Sequence, residues 1–299
     1  MLRAFLAVGF ALLASGLSAH AVEIQTAKGL VSIESVPARI AVFDVAALDT
    51  LDSLGVKAEG VPGKLYVPEL VHLSDGAQPI GTLFEPDLEA LSALAPDLII
   101  VGARAASQFD SVSRVAKTID MTIGDAEMLD EAKKRLITYG ELFGKQDAAA
   151  REVASFEAAI AAARKAIEGK GNALILMTNG PKVSAFGDGS RFGWLHRALG
   201  LPPAVADVEA ATHGEAISFE FVSKANPDWL IVLDRASAVG LTEQNAATTL
   251  DNELVAQTTA WKKGQVIYLP PADFYIAAGG IQSTTRVLKA ITDAFSAVK

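Results

Sequence analysis

The 299-residue chain contains no cysteine. That single absence excludes disulfides, thiolate metal sites, cysteine nucleophiles and a lipid-anchored amino-terminal Cys. Histidine is almost as scarce, with 4 in the whole chain, and no His-Glu-x-x-His pair exists to hold a catalytic zinc. A Gly-x-Ser-x-Gly elbow is also missing, so the sequence offers no support for an enzyme. The glycine loop Gly187-Asp188-Gly189-Ser190-Arg191-Phe192-Gly193 lacks the Lys-Ser/Thr ending of a P-loop, and its spacing misses the dinucleotide fingerprint. Positive charge is in deficit too. A net charge of −9 argues against nucleic acid or an anionic membrane as the main partner, although a local pocket can still be basic.

What is present begins with an apolar run over residues 4–17 behind Arg3, closed by the small-residue cluster Ala19-His20-Ala21. This is the pattern of a cleavable secretory signal over residues 1–21, with cleavage near Ala21. No later stretch approaches the roughly 20 apolar residues of a membrane span. The reading is a soluble mature chain in a bacterial periplasm.

Residues 87–104 recur at 218–235. Glu89 falls on Glu220, Ser92 on Ser223, Pro96-Asp97 on Pro227-Asp228, Ile100-Val101 on Ile231-Val232 and Arg104 on Arg235. Each copy reads as a short helix behind an N-cap (Asp87 or Ser218), stopped at proline and followed by an apolar strand buried on both faces. Arg104 and Arg235 then lie just past the carboxyl ends of their strands, where open α/β sheets bind ligands. Residues 146–168 are alanine-rich without glycine or proline, which predicts a long helix of roughly 30 Å that could bridge two lobes. The expected organisation is an N-terminal lobe over 22–142, a linker helix over 143–170 and a C-terminal lobe over 171–299. The fold class is α/β, with two lobes of mainly parallel sheet joined by one long α-helix. Further expectations are an opening hairpin before residue 33, a loop over 61–79, a helix over 108–117, a strand near Thr122, a turn-rich piece over 179–181 ahead of the glycine loop over 187–193, and a helix over 250–257.

Three cations stand out. Arg104 and Arg235 are repeat-related, and Arg191 sits in the glycine loop; a planar, permanently charged fork suits a delocalised anion with several oxygens. His196 reads as a core histidine and His72 as a solvated one. His213 lies in a Thr-His-Gly segment upstream of the second repeat, and Tyr275 follows a proline-rich turn. Glu89 and Glu220 carry two readings: complementarity to a helix dipole, or a matched pair of exposed acids that dock on a two-fold membrane partner.

These pieces, Gly102-Ala103-Arg104, Gly189-Ser190-Arg191-Phe192-Gly193, Thr212-His213-Gly214, Val232-Leu233-Asp234-Arg235 and Tyr268-Leu269-Pro270 through Phe274-Tyr275, resemble the periplasmic binding proteins of ABC importers for ferric catecholate siderophores. The resemblance spans nearly the whole mature chain, and Gly102-Ala103 before Arg104 is its one departure from the family pattern. It implies a class III binding-protein fold in which Arg104, Arg191 and Arg235 contact catecholate oxygens. It also implies that His213 and Tyr275 ligate iron directly when the siderophore is tetradentate, and that Glu89 and Glu220 engage the inner-membrane permease. Fe(III) is then part of the cargo, with no intrinsic cofactor, and a monomer is expected. Haem, ligated by Tyr275 or His213, is the rival cargo; a periplasmic hydrolase of an anionic ester with His213 as base is the rival of another class.

Overall fold

The computed structural model describes residues 21–124, 127–208, 214–241 and 244–298. The expected hairpin is present as β1 (Val22–Thr26) and β2 (Gly29–Ile33), paired antiparallel. Next come β3 (Ile40–Val42), α1 (Val45–Ser53), β4 (Gly60–Val61), β5 (Gln78–Pro79), α2 (Leu88–Leu94), β6 (Leu98–Val101) and β7 (Thr118–Asp120). Their strands form a parallel sheet in the order β5-β4-β3-β6-β7. Helices α3 (Met128–Leu142) and α4 (Gln146–Ile167) follow, and α4 connects this sheet to a second one.

The second sheet is built from β8 (Ala173–Asn179), β9 (Lys182–Phe186), β10 (Glu215–Ala216), β11 (Trp229–Asp234) and β12 (Val266–Tyr268), in the order β10-β9-β8-β11-β12. Its helices include α5 (Trp194–Arg197), α6 (Phe219–Ala225), α7 (Arg235–Ala238), α8 (Pro271–Tyr275) and the closing α9 (Ile281–Ala297). Here β9 runs antiparallel to β8 and fills the interval between the expected turn over 179–181 and the glycine loop. The hairpin turns at Gly180 (φ 58°), and the alternation of Lys182, Val183, Ser184 and Ala185 between the two faces is the period-2 signal behind it.

The repeat maps onto equivalent positions: β6 and β11 each occupy the fourth place of their sheet. Asp87 caps α2 by accepting from the amides of Glu89 and Ala90 at 3.0 and 2.9 Å, and Ser218 caps α6 through Phe221 N at 3.4 Å. Each helix ends in a left-handed residue, Ala95 (φ 48°) or Asn226 (φ 43°), immediately before its proline. The repeated aspartates explain the Pro-Asp pair. Asp97 accepts from Ala38 N and Arg39 N, both at 2.9 Å, and Asp228 from Asn172 N at 3.0 Å, so each clamps the entry to the neighbouring central strand. All of β6 and the first five residues of β11 are buried, as their unbroken apolar runs predict.

Some local expectations shift. The segment over 61–79 holds a 3-10 helix (Pro68–Ser74) as well as β4 and β5. Residues 103–112 make a 3-10 helix and one α-turn, earlier than the expected helix over 108–117. The expected strand near Thr122 lies at Thr118–Asp120 instead, because the Thr122 hydroxyl is turned onto Asp120 Oδ1 at 2.6 Å. The helix expected over 250–257 is two short ones, Ala246–Leu250 and Glu253–Ala256, separated where Asn252 caps the second.

The closing helix does more than end the second lobe. It packs along α4, stacks Phe295 on Trp229 with centroids 4.0 Å apart, and begins against α1 of the first lobe. There the buried Asp49 carboxylate accepts from Gln282 N (2.7 Å), Ser283 N (3.0 Å) and Ser283 Oγ (2.7 Å). Arg286 reaches the same carboxylate at 3.3 Å and grips Asp273 through Nε and Nη2 at 3.0 and 2.7 Å. A helix N-terminus in one part of the chain is therefore capped from another, across more than 200 residues.

Candidate functional site

Strands of a parallel sheet end together, and the carboxyl edges of the two sheets carry Arg104 and Arg235. Arg104 opens the segment after β6 and Arg235 opens α7 directly after β11. Arg191 is held by the glycine loop, which is a tight turn: Ser190 Oγ donates to Gly187 O at 2.6 Å, and a Cβ at Gly193 would lie 1.9 Å from Asp188 O. Only glycine fits there.

Tyr275 stands at the end of α8, a helix started by Pro271 at its first turn. Its neighbour Phe274 is buried and stacks on Phe192 at 4.5 Å, with Trp194 at 6.1 Å, while Phe192 meets Phe186 edge-on at 4.8 Å. This aromatic cluster ties α8 to the glycine loop, and so fixes Tyr275 relative to Arg191.

The three arginines converge on one ring. The guanidinium carbons of Arg104, Arg191 and Arg235 lie 5.1, 5.0 and 5.7 Å from the centre of the Tyr275 ring, within the range of cation–π attraction. Arg235 Nε donates to the Tyr275 hydroxyl at 3.2 Å, and its Nη1 donates to Asn179 Oδ1 at 3.1 Å. Arg104 crosses between the lobes, donating to the carbonyls of Tyr275 at 2.7 Å and Ile276 at 3.1 Å. The acceptors of Arg104 and Arg235 are thus uncharged oxygens, leaving their positive charge available to an anion. Tyr275 responds to this field. Half-burial pushes its phenol upward, but the Arg235 hydrogen bond and the charges of Arg235, Arg191 and Arg104 outweigh it and hold the phenol below the usual tyrosine value.

The Gly102-Ala103 pair has a structural consequence here. A Cβ at Gly102 would meet Asp44 Oδ2 at 2.3 Å, and Ala103 takes a left-handed φ of 43° while donating its amide to Thr122 Oγ1 at 3.0 Å. That turn aims Arg104 across the cleft.

Of the remaining expectations, His196 is a core histidine: Nδ1 lies 2.8 Å from Leu201 O, and burial depresses its basicity. His72 is exposed and paired with Asp52 at 3.0 Å, a hydrogen bond that raises its pKa. His213 lies outside the described residues. Glu89 and Glu220 are both exposed in the first turn of α2 and α6. Since β5 and β10 run parallel to the central strand of their sheets, both helices start at the carboxyl edge that also carries the arginines. A hydrogen bond with Ser218 keeps Glu220 more acidic than usual.

Three residues escaped the sequence reading. Asn179 ends β8 at the same edge as Arg235, a position the strand-end rule could have flagged. Asp44 lies two residues past the end of β3 and caps α1 through Ala46 N at 3.1 Å. Arg135 occupies the buried stripe of α3 beside Ala132, Leu136 and Tyr139, where an apolar residue would be usual. Together with Arg104, Arg191, Trp194 and Tyr275, Asp44 and Arg135 line a cavity of about 70 Å³.

Comparison with known proteins agrees with this architecture. The family model of periplasmic binding proteins matches residues 40–272. The petrobactin-binding protein YclQ of Bacillus subtilis is 36% identical over 276 residues, covering 91% of this chain and 87% of that protein. Its crystal structure superposes with a TM-score of 0.88, covering 92% of this chain and 99% of the other. The ferric-anguibactin-binding protein FatB of Vibrio anguillarum is 33% identical, covering 87% and 83% of the two chains. The periplasmic catecholate-siderophore binding protein VctP of Vibrio cholerae superposes with a TM-score of 0.84 at 30% identity, covering 92% and 100%.

Proposed function

This chain belongs to the periplasmic binding protein family, and we propose that it captures a ferric catecholate siderophore between its lobes and delivers it to an inner-membrane ABC permease. The observation that carries the reading is the convergence of Arg104, Arg191 and Arg235 on Tyr275. The Tyr275 phenol already occupies the kind of place a catecholate oxygen would take, with Arg235 donating to it. A trianionic ferric complex entering from the carboxyl edges would meet three planar donor forks. The named cargoes of the relatives, petrobactin, ferric anguibactin and catecholate siderophores, support the same ligand class. They give no support to haem or to an ester substrate, and the chain is read as a carrier without catalytic role.

Iron is cargo in this reading. Ferric ion is hard and favours phenolate and catecholate oxygen. A tetradentate siderophore leaves two of six positions open, for which Tyr275, with its lowered pKa, and His213 are the proposed ligands. Secretion through a signal over residues 1–21, a lobe boundary on either side of residues 143–170, and permease docking through Glu89 and Glu220 belong to the same proposal.

The test is fluorescence-quenching titration with a ferric tris-catecholate. Charge-assisted hydrogen bonds contribute about 1.5–3 kcal/mol each, so Arg→Ala at 104, 191 or 235 should weaken binding by roughly 10- to 150-fold. Unchanged affinity in all three variants would overturn the reading.

A further inference from the structure

Arg135 is more than nine-tenths buried, and its Nη1 has no hydrogen-bond acceptor among the described residues. The hydroxyl of Tyr139, one turn further along the same face of α3, is equally unpartnered. Asp44 is the carboxylate that attracts Arg135, yet the two form no ion pair among the described residues; Asp44 accepts from Ala46 N instead. Burying a guanidinium with a donor left unsatisfied is costly. The arginine is therefore retained against a local penalty that a leucine or methionine at this position of the stripe would not incur.

The cavity that Arg135 lines is the one that also borders Arg104, Arg191 and Tyr275, so it opens from the cargo site. At about 70 Å³ it has room for a few water molecules, and hence for a group of about three heavy atoms, not for a second aromatic ring. A carboxylate matches both the volume and the guanidinium fork. We propose that this cavity is a subsite for a carboxylate carried on the cargo beside its catechol ring, and that Arg135 is the residue that selects for it. The inference rests on the cargo reading above and narrows it, from catecholates in general to those bearing an additional small anion.

Arg104, Tyr275 and Ile276, which are joined by hydrogen bonds from Arg104 to the two carbonyls, all line the cavity. Arg104 can thus bind the catechol oxygens while Arg135 binds the substituent, which separates retention of iron-bound oxygens from discrimination among carriers. Arg135 acts on specificity, and a purely structural role would weaken every cargo alike.

Two matched probes test it: ferric complexes of 2,3-dihydroxybenzoate and of 2,3-dihydroxybenzamide, which differ in charge at one substituent. Each is titrated by quenching of tryptophan fluorescence, which Trp194 in the cavity wall is placed to report. Wild-type protein should bind the carboxylate probe about tenfold or more tightly than the amide, equivalent to about 1.4 kcal/mol. In Arg135→Gln the ratio should collapse towards one while the amide affinity stays put, and Arg135→Lys should restore part of it. Equal wild-type affinities would overturn the subsite even if no Arg135 variant folds, and so would an Arg135→Gln variant that weakens both probes by the same factor. If the wild type bound neither probe, the catecholate reading itself would fall, and the subsite with it.

Discussion

Arg235 Nε lies 3.2 Å from the hydroxyl of Tyr275 and donates to it. One residue follows β11 and the other closes the helix after β12, 40 positions later, so adjacent parallel strands bring them to the same edge. With Arg191 and Arg104 on the remaining sides, the phenol sits in a field that favours its anion. A cargo that offers phenolate-type oxygens enters a site already organised for that charge.

The ionisation of Tyr275 should be visible directly. Tyr139 and Tyr268 are both raised by burial, whereas Tyr275 is lowered by the arginines despite its own burial. Ultraviolet difference titration should therefore show an early phenolate component that Tyr275→Phe removes. In Arg235→Ala the same component should move to higher pH, since the residue that both hydrogen-bonds the phenol and attracts its anion is gone. An early component unchanged in both variants would contradict the described field.

Asp49 predicts a pH-dependent stability with a definite sign. Burial pushes its carboxyl up to about 6 from 3.8, against the opposing hydrogen bonds from Ser283 and Gln282 and the charge of Arg286. A raised acid binds its proton more readily in the folded chain. Its contribution is thus fully present below about pH 4 and is lost as pH rises through about 6. The gap between the two values corresponds to about 3 kcal/mol. Urea denaturation of wild type and Asp49→Asn across this window should show their stability difference falling with rising pH, and a flat difference would show that folding does not raise the Asp49 carboxyl.

The glutamates are tested by separating binding from uptake. Glu89→Ala combined with Glu220→Ala should leave siderophore affinity unchanged, because both side chains are exposed on helix starts and neither is among the residues that contact the Tyr275 ring or line the cavity beside it. Uptake in cells carrying the double variant should be abolished. Normal uptake would return both residues to a helix-dipole role.

Much of the fold was written in short-range signals. The caps at Asp87 and Ser218, the prolines that stop α2 and α6, and the apolar runs of β6 and β11 each depend on a few neighbouring residues. The elements misplaced were those whose form depends on distant partners. The turn after β6 begins early because Thr122, 19 residues further on, takes the Ala103 amide.

By itself the sequence determined two repeated helix-strand units, a long helix between them, and an arginine past the carboxyl end of each repeated strand. Those follow from periodicity, capping and propensity, which act over a turn or two. Only the tertiary structure decided that three arginines share one tyrosine, that Asp49 caps a helix more than 200 residues away, and that Arg135 is buried beside the same cavity. Such relationships arise where sheets end and helices pack, and the packing of the whole core must be in place before side chains so distant in the chain can meet.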